Sequence, residues 1–69
     1  MKLTHNVVIQ NHGEVEVTGW MYGNVSVGIK FELEDVLDEY ETPIMFDLVG
    51  EEIQRIEALV EYDLEAMFN

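Results

Sequence analysis

Sixty-nine residues without a cysteine predict one domain, residues 1–69, that folds without disulfides or thiolate metal sites. Fifteen acids against three basic residues give a net charge of −12, which excludes ordinary nucleic-acid binding and repels anionic membranes. A hydrophobic content of 48% argues against disorder; with no apolar run of about 18 residues and no signal-peptide core, the expectation is a soluble, cytoplasmic protein.

Leu3, Val7 and Ile9 alternate with mostly polar residues over Leu3–Gln10, the period of a strand. Asn11-His12-Gly13 is a turn signal, with Gly13 suited to the positive φ of a three-residue hairpin. Val15 and Val17 continue the odd-numbered face through a second strand, Glu14–Met21. Tyr22-Gly23-Asn24 reads as the second turn, followed by a longer strand carrying Val25, Val27, Ile29, Phe31 and Leu33. These turns set Ile9 opposite Val15, Val7 opposite Val17, Val17 near Ile29 and Glu16 opposite Lys30. All the apolar side chains then share one face of a three-stranded antiparallel meander.

Beyond Leu33 the pattern changes. Glu34-Asp35 is expected to cap a short helix, with Val36, Leu37 and Tyr40 inward, ended by Thr42-Pro43. Ile44–Val49 fits extended or helical spacing and is read as a connector, with a long helix starting between Asp47 and Gly50. Ile53, Ile56, Val60, Leu64 and Met67 form the apolar stripe of that helix, and Phe68 is assigned to the core. Glu51 and Arg55 form its one evident i,i+4 ion pair. The expected fold is α+β: a three-stranded antiparallel β-meander, a short helix, and a long C-terminal amphipathic helix packed on one sheet face. So small a core predicts dimerisation as a supplement.

Charge is unevenly placed. Residues 1–33 hold three acids against two lysines, whereas residues 34–69 hold twelve acids against Arg55 alone. Glu34, Asp35, Asp38, Glu39 and Glu41 make one cluster, and Glu51, Glu57, Glu61 and Glu65 another. Glu57, Glu61 and Glu65 stand four residues apart with no basic neighbour, and each like-charge pair costs an isolated helix a few tenths of a kcal/mol. Such an array can present fixed carboxylates to a protein that holds DNA phosphates through Lys and Arg. The bland alternatives are a solvated face that keeps the protein soluble, and adaptation to high salt.

Other chemistry finds little footing. No calcium-loop or zinc spacing occurs; His5 reads as a core histidine and His12 as a loop histidine. No catalytic residues, cofactor site or metal site are assigned, and an enzyme is not expected. Trp20, Met21 and Tyr22 sit together near the second turn. Trp20 has outer-face parity, so this trio is a candidate contact for a second subunit or partner.

The acidic half, Glu34 to Glu41 and Glu51 to Glu65, in a short cysteine-free chain resembles small phage-encoded DNA-mimic proteins. The resemblance lies in overall character rather than in a motif, so no residue role is carried over. It implies an inhibitor in the host cytoplasm that occupies the DNA-binding surface of a basic host protein. A nucleoid-associated protein of the HU type is the favoured partner, with a nuclease as alternative. The competing expectation is an adaptor or antitoxin-like module that binds through an apolar patch around Trp20 and Tyr22. A structural subunit of a larger assembly is a third.

Overall fold

The computed structural model describes residues 1–68, with side chains through Met67. Three antiparallel strands, β1 (Lys2–Ile9), β2 (Gly13–Asn24) and β3 (Gly28–Leu37), form one sheet in the order β1-β2-β3. A 3-10 turn at Met45–Asp47 leads to a single C-terminal helix, α1 (Gly50–Phe68). The expected α+β class and meander hold. So does a helix start at Gly50.

The first hairpin closes more tightly than the expected pairing. Asn11 and Gly13 both adopt positive φ (74° and 71°), so Ile9 meets Gly13 and Val7 meets Val15. This differs by two residues from the expected partners, and a shift of two preserves which face each side chain takes. Val7, Val15 and Val17 are accordingly buried.

The second hairpin departs further. Tyr22-Gly23-Asn24 belongs to β2, and the turn is Val25–Val27. The Asn24 side-chain oxygen accepts from Ser26 N (2.9 Å) and Val27 N (3.1 Å), a local closure open to Asx residues. Gly23 and Gly28 supply φ of 81° and 100° at its two ends. Val25 and Val27 therefore stand in solvent. Val17 pairs with Val36, and Glu16 with Leu37, in place of Ile29 and Lys30.

No helix forms over residues 34–41. β3 runs on to Leu37 because a bulge at Thr18/Gly19 leaves Glu34 unpaired between Leu33 and Asp35. The extra residue flips the parity. Ile29, Phe31 and Leu33 point inward before it, and Val36, fully buried, points inward after it. Residues 38–41 are a turn, closed by the Asp38 carboxylate accepting from Tyr40 N and Thr42 N (both 2.9 Å). Tyr40, expected inward, is 80% exposed.

The chain then folds back along β3, with Asp38 N donating to Thr42 O (3.0 Å) and Ile44 N to Val36 O (2.9 Å). Ile44 and Leu48, on either side of the 3-10 turn, are buried. At the start of α1, Val49 N donates to the Glu52 carboxylate (3.2 Å), one half of a capping box. Ile56, Val60 and Leu64 join the buried residues of all three strands in one cluster, with Ile53 half-buried beside it. Met67, expected in this stripe, is exposed; the assignment of Phe68 to the core lies outside the described residues. The backbone of α1 runs mainly beside β3 and also neighbours β1. No helix is long and apolar enough to cross a membrane among the described residues.

Candidate acidic interaction surface

The glutamate stripe of α1 has a structural partner. Glu61 accepts from Phe31 N and Glu57 from Leu33 N, each at 2.9 Å. Both amides point out from the free edge of β3, since β2 lies on its other side. Four helical residues rise about 6 Å and two strand residues about 6.8 Å. Glutamates at i and i+4 thus match every second amide of an edge strand. Glu57 and Glu61, read from the sequence as having no basic neighbour, are partnered instead by backbone amides. Both carboxylates are half-buried. Glu65, next in the series, is exposed and makes no hydrogen bond among the described residues.

Glu51 forms the expected pair with Arg55, at 3.6 Å and well exposed, where an ion pair contributes little. The first cluster is divided by the fold. Glu34 reaches across the sheet to Lys2 (3.3 Å), and Asp35 accepts from its neighbour Val36 N (2.9 Å). Asp38, Glu39 and Glu41 stay together at the turn after β3.

Two acids assigned to the neutral half join that turn. Glu14 and Glu16 of β2, with Asp38, Glu39 and Glu41, line one shallow cleft of about 360 Å³ that also includes Asn6 and Val15. The Glu16–Leu37 pairing brings them there. No basic residue lines this cleft. At the other end of the sheet the charges are balanced: Lys2 pairs with Glu34, and Lys30 lies opposite Tyr22 next to Glu32. The outer-face parity of Glu14 and Glu16 is visible in the sequence, but their proximity to residues 38–41 depends on the register.

Trp20 is 41% exposed, on the outer parity expected of it, with the Lys2 ammonium 5.7 Å from its ring centroid. That distance is a cation–π contact. Tyr22 shares the outer face, whereas Met21 is half-buried against the core, so the trio does not make one surface. His5 Nε2 lies 3.1 Å from Asp63 Oδ2, tying β1 to α1. Among the described residues no three His, Asp or Glu side chains gather as metal ligands. Comparison with protein-family models, with curated proteins and with solved structures yields no match.

Proposed function

We propose that this protein is an acidic DNA mimic that occupies the DNA-binding surface of a basic host protein, an HU-like nucleoid protein being favoured over a nuclease. The observation that carries it is the concentration of carboxylates without an ion-pair partner, among the described residues, at one end of the sheet. Glu14, Glu16, Asp38, Glu39 and Glu41 meet without a cation on a body 35 Å long. Inhibition needs no chemistry, only competition for phosphate-binding Lys and Arg. The reading takes α1 as seated across the apolar face of the sheet, which leaves the outer face and the turn open to a cytoplasmic partner.

The test uses a purified HU-type protein, labelled duplex DNA and the intact chain as competitor. The chain should displace DNA, and its binding should weaken steeply as salt rises. Glu14, Glu16, Glu39 and Glu41 changed together to Gln should reduce binding at least about tenfold while leaving the circular dichroism unchanged. Asp38 is kept because it closes the turn. Affinity that ignores both salt and these four changes would refute the proposal.

The exposed Trp20 and Tyr22 support the second reading, a protein-interaction module whose acidity serves solubility. Trp20→Ala separates the two, since it should abolish partner binding only in that case.

A further inference from the structure

The two edges of the sheet are finished differently. Along β3, Phe31 and Leu33 donate to Glu61 and Glu57, Val36 O accepts from Ile44 N, and Asp38 N donates to Thr42 O. On β1, Met1 and Met21 exchange both backbone hydrogen bonds (3.0 and 2.7 Å). Antiparallel alternation then turns the N–H and C=O groups of Lys2, Thr4, Asn6 and Val8 away from β2. No hydrogen bond reaches these groups among the described residues, and all four residues are exposed. Eight residues long, β1 carries neither proline nor bulge, two of the devices that blunt an edge.

Beside that edge a cleft of about 400 Å³ opens between β1 and α1. Val8, Val49, Ile56 and Leu59 give it apolar walls, with Glu52 and Arg55 among its lining residues. Leu59 is 40% exposed and Val49 59%, which is costly for aliphatic side chains in so small a protein.

Charge selects the occupant. β1 is the one regular element without an acidic residue, and Arg55, the sole arginine, lies in the adjoining cleft. A second copy related by a two-fold axis presents the same acid-free strand. We infer that β1 is a self-pairing edge, at which two copies of the chain join antiparallel into a six-stranded sheet and close their clefts against each other. Outward-pointing residues must face outward-pointing residues, so the two-fold axis passes through a residue, and the fullest overlap of Lys2–Ile9 centres it on His5 or Asn6. The Trp20 face takes no part.

The inference is independent of the proposed mimicry, and salt acts on the two in opposite directions. Screening weakens attraction to a basic protein but strengthens association between two chains of net charge −12. Sedimentation equilibrium of the intact chain at low and high salt, with residue-resolved amide exchange, tests it. The expected result is a dimer that tightens with salt, with exchange at Thr4, Asn6 and Val8 slowed as it forms. Asn6→Pro removes one outward N–H and spares the β1–β2 ladder; Leu59→Glu places a charge in the cleft at an exposed position. Each should raise the dimer Kd at least about tenfold with unchanged circular dichroism. If Asn6→Pro disturbs the monomer, Leu59→Glu decides. A monomer at all concentrations into the millimolar range overturns the inference. So does a dimer whose β1 amides still exchange freely, or one indifferent to Leu59→Glu.

Discussion

Glu57 and Glu61 show how one side chain can serve opposing terms. Their mutual repulsion costs a few tenths of a kcal/mol. Each accepts a hydrogen bond from a strand amide that would otherwise be an open edge group, worth about 1 kcal/mol at these half-buried positions. The hydrogen bonds win. Glu61→Ala should therefore lower unfolding stability by about 1 kcal/mol in urea titrations, and Glu61→Gln by less, because the amide oxygen still accepts. A stability gain in Glu61→Ala would mean that repulsion dominates. Gly19 is the other residue under tight constraint. A Cβ there would sit 2.2 Å from Glu32 O and 2.6 Å from the tip of the Phe31 ring. Backbone cannot yield as a flexible side chain can, so Gly19→Ala should cost about 2–3 kcal/mol by thermal or chemical denaturation.

At the scale of elements, the second hairpin decides the molecule. Its turn at Val25–Val27 sends β3 on to Leu37, and the bulge beside Gly19 lets an odd-faced strand bury Val36. Paired valine substitutions report that register directly. Val36→Ala empties a fully buried site opposite Val17 and should cost about 2 kcal/mol, combining lost transfer energy with a cavity. Val27→Ala, at 79% exposure, should stay within about 0.5 kcal/mol. Equal costs in equilibrium unfolding would require the shorter hairpin. Asn24→Ala removes the acceptor shared by Ser26 N and Val27 N, and should cost about 1 kcal/mol.

Over the whole molecule the charge carries an energetic cost. Twelve net charges along 35 Å amount to about one per 3 Å, against one per about 1.7 Å in duplex DNA. The density is roughly three-fifths that of DNA. Self-repulsion at this level opposes the compact state. Raising salt from about 0.01 to 1 M shortens the Debye length from about 30 to 3 Å. The melting temperature of the dilute monomer should then rise by roughly 5 °C, equivalent to about 1 kcal/mol for a domain this small. A melting temperature that is flat or falls with salt in scanning calorimetry would contradict the repulsion.

Period and composition were enough to establish the meander, the face taken by Val7, Val15, Val17, Ile29, Phe31 and Leu33, the long helix from Gly50, and the Glu51–Arg55 pair. Each depends on neighbours within one turn or one strand, where side-chain direction follows from local geometry. Pairing register, the fate of residues 34–41 and the role of the glutamates were settled only in three dimensions. Glu34-Asp35 looks like a helix cap when read alone, but burial of Val36 against Val17 and the backbone pairing through Leu37 outweigh that weak local preference. Glu14 and Glu16 lie in the nearly charge-balanced residues 1–33, and only the register brings them into one cleft with Asp38. The partners of Glu57 and Glu61 lie 24 and 30 residues away, and they exist only because β3 ends the sheet. A one-dimensional pattern carries a residue's face; which edge stays open, and what covers it, is a property of the assembled sheet.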